Sequence, residues 1–160
     1  MAERVSGPYR GYYVSTTSLE QSDIRDLRSP KRYIDATKVS YIALPQDFAR
    51  TFDIHLGDLA VVVNQANGQS AYAIYADVGP GGRIGEGSVA LAKALGIPAN
   101  PRHDSVADGV TYLIFPGSRP SSDDRVTARN IKLLAAREYR RWGGRQRLRT
   151  CERPLLAGVR

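Results

Sequence analysis

Leu59-Ala60-Val61-Val62-Val63-Asn64-Gln65-Ala66-Asn67-Gly68-Gln69-Ser70-Ala71-Tyr72-Ala73-Ile74-Tyr75-Ala76-Asp77-Val78 is the stretch on which the fold turns. Leu59–Val63 is the longest fully aliphatic run in the chain, and with Asn64 it reads as a buried strand. Asn67-Gly68 follows as a hairpin signal, because both residues tolerate the positive φ of a tight turn. Ala71–Val78 is the return strand. Alternation puts Tyr72, Ile74 and Ala76 on one face, and Ala73, Tyr75 and Asp77 on the other. Gly79-Pro80-Gly81-Gly82 breaks the strand.

Upstream, Tyr12–Thr17 is rich in β-formers and reads as a strand. Leu19–Lys31 is polar and reads as a loop or short helix. Tyr33–Thr37 and Val39–Leu44 read as extended, and Pro45 ends the second. Leu56-Gly57-Asp58 is a turn. Downstream, Ser88 caps a helix over Val89–Leu95, with Gly96 as its stop and Pro98 beyond. Pro101–Asp108 is a loop and Val110–Phe115 a buried strand. Asp123 or Asp124 opens a last helix that runs to about Trp142. Ala128, Ile131, Ala135, Tyr139 and Trp142 form its apolar stripe. Gly143-Gly144 stops it, and Arg145–Arg160 reads as a basic tail. Five or six strands, two helices and no βαβ alternation point to a mainly β fold with α (α+β): a small barrel or sandwich with helices packed outside.

A chain of 160 residues suits one domain with its own core, and 42% hydrophobic with 24% charged residues is ordinary for a globular protein. Cys151 stands alone, which excludes an internal disulfide and a cysteine-based zinc cage. No apolar run is long enough to span a bilayer, and the N-terminus lacks the apolar region of a secretory signal. The net charge of +7 is unevenly spread. Met1–Ser118 holds 11 Lys/Arg and 12 Asp/Glu, whereas Arg119–Arg160 holds 12 and 4. A basic end of this kind suits an anionic polymer or surface, or is a solvated helix face with a polar tail.

The chemistry concentrates in Tyr75-Ala76-Asp77-Val78-Gly79-Pro80-Gly81-Gly82-Arg83-Ile84-Gly85-Glu86-Gly87-Ser88. One carboxylate ends an apolar strand, and a second sits between glycines just before a helix. Glycines leave room for a polymer to approach both acids. Two facing carboxylates are the minimum for glycoside hydrolysis: one delivers a proton to the leaving oxygen, and the other activates water or attacks the sugar. Taken alone, the same residues are also a turn-forming Asp and a helix-capping Glu.

The order of motifs goes further. Tyr12–Leu19, Arg32–Pro45, Gly57–Val62, Tyr75–Pro80, Ile84–Ser88 with Ala90-Leu91, Phe115–Ser118 and Trp142–Gly144 together resemble glycoside hydrolase family 75, the chitosanases of fungi and bacteria. The likeness covers residues 11–144 as one catalytic domain and leaves 145–160 outside as a tail. It implies an inverting endo-hydrolase of β-1,4-linked glucosamine polymers, with the catalytic acids on Asp77 and Glu86. Inversion requires the two carboxyl groups to be about 6.5–9.5 Å apart. The family assignment makes Glu86 the proton donor and Asp77 the base. Asp77-x-Gly79 followed by Ile84-x-Glu86 also resembles the catalytic turn of double-psi β-barrel glycan-cleaving enzymes, which cast the Asp as donor, so the roles stay open. That likeness implies a six-stranded double-psi-like barrel with two packed helices. Family members are commonly secreted, yet no signal peptide is read here, and localisation stays open.

Further substrate-binding candidates are Asp35, Thr37 and Lys38, which also suit a structural turn. Tyr41 and Tyr75 suit either sugar stacking or core packing. Arg83, between the two acids, suits either holding a carboxylate or a solvated loop. His55 and His103 lack metal-spaced partners and no nucleotide-binding glycine pattern is present, so neither metal nor cofactor is expected. The expected partner is a polysaccharide, and the chain is expected to act as a monomer. Competing readings are cleavage of another amino sugar polymer such as peptidoglycan, a non-catalytic carbohydrate- or partner-binding barrel, and nucleic-acid binding through the arginine-rich end. The last has only Trp142 nearby for base stacking, so nucleic acid is not expected as a partner.

Overall fold

The computed structural model describes residues 2–3, 13–14, 16–26, 29–99, 109–121 and 126–152. In chain order these hold β1 (Ala2–Glu3), β2 (Tyr13–Val14), a 3-10 turn (Pro30–Arg32), β3 (Tyr41–Leu44), α1 (Gln46–Thr51), β4 (Leu59–Asn64), β5 (Ser70–Val78), β6 (Glu86–Gly87), α2 (Val89–Ala94), β7 (Val110–Phe115), α3 (Ala128–Trp142) and α4 (Gly144–Glu152). The expected loop over 101–108, the helix start at Asp123 or Asp124, and His103 lie outside the described residues.

The hairpin forms as the sequence dictates. β4 and β5 pair antiparallel from Leu59↔Ile74 to Val63↔Ser70. Gly68 takes φ 72°, the left-handed region that glycine enters without a Cβ penalty. Around this pair the sheet grows to the order β6-β3-β5-β4-β7. β3 runs parallel to β5, and the other neighbours are antiparallel. β1 and β2 form a separate two-stranded ribbon.

The fold is mixed α+β, as expected, but the expected barrel is corrected. The described strands make an open five-stranded sheet, with β6 and β7 at its edges, not a closed six-stranded barrel. Four α-helices replace the expected two among the described residues. Both sheet faces are covered. Ile42, Leu44, Ala60, Val62, Ala73 and Tyr75 pack on one side with Ala49 of α1 and Leu91 of α2. Tyr41, Leu59, Ile74 and Ala76 pack on the other with Ile131 and Ala135 of α3. A strand buried on both faces needs no polar alternation, which is why Leu59–Val63 reads as a continuous apolar run.

The helix ends follow local chemistry. α3 starts at Thr127, whose side chain accepts from the Asn130 N–H, and ends at Gly143 with φ 117°. The stretch read as a tail opens with α4, which docks through buried Leu148 and lays Arg147 4.9 Å above the Trp142 ring. Only the start of Tyr33–Thr37 is extended: Tyr33 forms an isolated bridge with Glu20, and the Val39 N–H then donates to the Asp35 carbonyl in a tight turn.

Ser88 does double duty. Its Oγ accepts from Leu91 N at 3.1 Å, capping α2, and from Tyr41 N at 3.0 Å, tying β3 to the helix start. It is 2% exposed. Ser88→Ala removes the cap, worth about 1 kcal/mol, and with it the hydrogen bond from Tyr41 N, worth about 0.5–1.5 kcal/mol more. Urea unfolding is expected to show the combined loss of about 1.5–2.5 kcal/mol at unchanged m-value.

Candidate active site

The two acids arrive from different strands. Asp77 stands near the end of β5, and Glu86 begins the edge strand β6. β3 runs between them. Ala43 of β3 is opposite Asp77 on one side and opposite Glu86 on the other. Directly opposed residues in a sheet share a face, so Ala43 and both acids present their side chains to the same side.

A β-bulge makes this possible. Tyr75 faces Ile42 and Asp77 faces Ala43, so Ala76 is the extra residue in β5. Without it, simple alternation would keep Asp77 on the face of Tyr75. Ile42 and Ala43 are consecutive in β3 and point to opposite sides, so their partners do too. The expectation that Tyr75 and Asp77 share a face is therefore corrected by the bulge.

The floor between the acids is nearly empty of side chain. A Cβ added at Gly79 would sit 3.5 Å from the Ala43 Cβ and 3.5 Å from Glu86 Oε2. Glu86 thus leans from β6 across Ala43 toward the chain beyond Asp77. Its carboxylate has no hydrogen-bond or ion-pair partner among the described residues, and the residue is exposed. Asp77 is held instead. Its Oδ1 accepts from Ser18 N at 3.0 Å, Ser18 Oγ at 2.9 Å and its own next-residue Val78 N at 3.0 Å. Gly79 is part of the Asp77-x-Gly79 turn read from the sequence, whereas Ser18 and Ala43 are not site candidates there. Their contribution depends on which chain segments meet, and no local pattern carries that.

The other candidates scatter. Asp35, Thr37 and Lys38 are close together, but in a turn closed on itself. Asp35 Oδ1 accepts from Thr37 N at 2.9 Å and from Thr37 Oγ1 at 2.6 Å, and Lys38 Nζ lies 3.0 Å from Oδ2. Partial burial pushes the Asp35 pKa up, but the Thr37 hydroxyl, Lys38 and the Thr37 N–H together hold it below the usual carboxylate value. Tyr41 and Tyr75 are 5% and 3% exposed and sit in the cores on opposite sheet faces, so neither ring offers a stacking surface. Burial first, and the Asp77 charge second, push the Tyr75 phenol up. Arg83 lies along a pocket of about 350 Å³ lined by Asp47, Phe48 and Phe52, and bonds to neither acid among the described residues.

Among the described residues no group of three or more His, Cys, Asp or Glu side chains is placed to hold a metal, and no helix is long and apolar enough to cross a membrane. His55 is exposed, with its Nε2 3.7 Å from Asp53 Oδ1.

Comparison with known families gives a match over residues 11–144. The chain is a glycosidase. It belongs to the family described as fungal chitosanase of glycosyl hydrolase group 75. Comparison with curated proteins returned no match.

Proposed function

We propose that this chain is an inverting, endo-acting hydrolase of a β-1,4-linked glucosamine polymer, with Glu86 as proton donor and Asp77 as base. One observation carries the proposal: both acids flank Ala43 on one face of the sheet. Neighbouring strands are about 4.8 Å apart, so two acids separated by one strand have backbones about 10 Å apart. Glu86 Oε2 leans back across Ala43 to within 3.5 Å of where a Gly79 Cβ would sit, on the Asp77 side of the strand. A pair that faces across a whole intervening strand suits inversion, where a water must fit beside the sugar, better than the roughly 5–5.5 Å separation of a retaining pair.

The division of labour follows from the partners. Asp77 is fixed through Oδ1 by three donors, which leaves Oδ2 to orient a water and take its proton. Glu86 has no such tether and sits on an open rim, where it reaches the glycosidic oxygen from the other side. Water attacks the anomeric carbon, Asp77 receives the proton, Glu86 gives one to the departing hydroxyl, and the new reducing end has the opposite anomeric configuration.

A second reading keeps the same acids on another amino sugar polymer, such as peptidoglycan. The 12 Lys/Arg against 4 Asp/Glu of Arg119–Arg160 favour an anionic wall over a cationic polymer. Soluble chitosan, peptidoglycan and cellulose offered side by side decide the substrate. Chitosan oligomers whose first product anomer, read by proton NMR, is inverted are the expected result. A retained anomer overturns the geometry, and release from peptidoglycan alone moves the assignment to the second reading.

A further inference from the structure

We infer that Ser18 is a positioning residue: its N–H and hydroxyl set the orientation of the Asp77 carboxylate from a rigid bracket that crosses the end of β5. The inference rests on the acid-pair reading above.

Ser18 is 59 residues away from Asp77 in sequence, yet it supplies two of the three donors to Asp77 Oδ1. Its Oγ also accepts from Val78 N at 3.3 Å, so the hydroxyl is held as acceptor while it donates to the carboxylate. The hydroxyl is therefore committed in direction, and a committed donor fixes a carboxylate plane better than a free rotor does.

The segment around Ser18 is itself tied down. Thr17 is 2% exposed, and its Oγ1 accepts from Ile34 N at 2.9 Å and donates to the Leu19 carbonyl at 2.7 Å. The Leu19 N–H donates to the Ala76 carbonyl at 2.8 Å, gripping the bulge residue that turns Asp77 toward the site. Glu20 forms a bridge with Tyr33 and an ion pair with Arg32, and Gln21 N donates to the Arg32 carbonyl at 2.7 Å. Ser18 is thus anchored on both sides by neighbours that never touch the acid. A surface Asp needing only to stay solvated would not require this. A base that must aim one oxygen at a water does, because misplacement by about 1 Å can cost up to about 100-fold in rate.

The test uses the full chain and soluble chitosan, with Ser18→Ala, Ser18→Thr, Asp77→Asn and the Ser18→Ala/Asp77→Asn double variant. Ser18→Ala keeps the backbone donor, and kcat is expected to fall about tenfold with KM nearly unchanged. Ser18→Thr, which keeps the hydroxyl, is expected to restore most of the rate. In the Asp77→Asn background, measured as residual rate, removing the Ser18 hydroxyl is expected to add nothing, since residues that act through one another are not additive. Undiminished kcat in Ser18→Ala overturns the inference. So does the same tenfold loss with Asn at position 77, or a loss that merely follows a lowered Tm. An Asp77→Asn variant as fast as the parent overturns the acid-pair reading itself, and the inference with it.

Discussion

Glu86→Gln and Asp77→Asn each lower kcat on the cleaved polymer by about 100- to 10,000-fold, the range that acid–base groups contribute. Both replacements are nearly isosteric, so the loss is expected without a loss of fold. Glu86 is exposed and has no partner among the described residues, and Gln there should leave the unfolding midpoint where it was. Asn at position 77 keeps a carbonyl oxygen able to accept from Ser18 N, Ser18 Oγ and Val78 N, so the bracket survives. Reducing ends released per enzyme, followed beside circular dichroism, separate chemistry from folding. If either variant cleaves at the parent rate, that acid has no part in the reaction. If both do, the site lies elsewhere in the domain.

Gly87→Ala carries the second large effect, and it acts through Glu86. A Cβ at Gly87 would meet Leu91 Cδ2 at 2.8 Å and the Tyr41 carbonyl oxygen at 3.0 Å. Neither neighbour yields easily. Leu91 is 3% exposed in the core, and the Tyr41 carbonyl accepts from Ser88 N at 3.0 Å. The edge strand must therefore move outward and take Glu86 with it. Overpacking of this kind costs about 1–3 kcal/mol, and, with Glu86 in its proposed role, a displacement near 1 Å is expected to lower kcat by up to about 100-fold. Urea unfolding and kcat measured on the same preparation check both halves. Native activity at native stability would mean that β6 does not hold Glu86 in place.

The elements most legible in the sequence are those written in adjacent residues. Asn67-Gly68 announces its hairpin, and Ser88 with Gly96 brackets α2, because turn and cap chemistry is local. The alternation from Tyr72 to Ala76 assigns two core faces correctly for the same reason. What escaped depends on partners. The apolar run Leu59–Val63 fits a barrel stave or a strand between two helical layers equally well, and only the helices decide. α1 is six residues long, with Phe48 and Ala49 its only apolar positions, too short to show a period. α4 is arginine-rich and enters through Gly143-Gly144, so its one buried anchor, Leu148, is invisible until α3 is in place.

The same division runs through the site. Asp77 and Glu86 are readable as a pair because each ends or begins an element beside glycines. Their face is not readable, since the bulge at Ala76 exists only in the register of β5 against β3. Tyr75, on alternation alone a neighbour of Asp77, stays in the core while that one extra residue turns Asp77 to the other face. Arg83, between the acids in sequence, lies instead along the pocket beside Asp47, Phe48 and Phe52.

One acid belongs to an interior strand and the other to a two-residue rim reached through residues 79–85. The gap that decides whether a solvent molecule fits between them is set by the pairing of β6 on β3, while residues 80–85 that join the two acids take no part in the two buried clusters. A change in that connection that shifts where this short rim pairs would re-space the pair while leaving the hydrophobic layers as they are. A scaffold arranged this way can drift from one catalytic stereochemistry to another, or from one glycan to another, by insertions at its periphery alone.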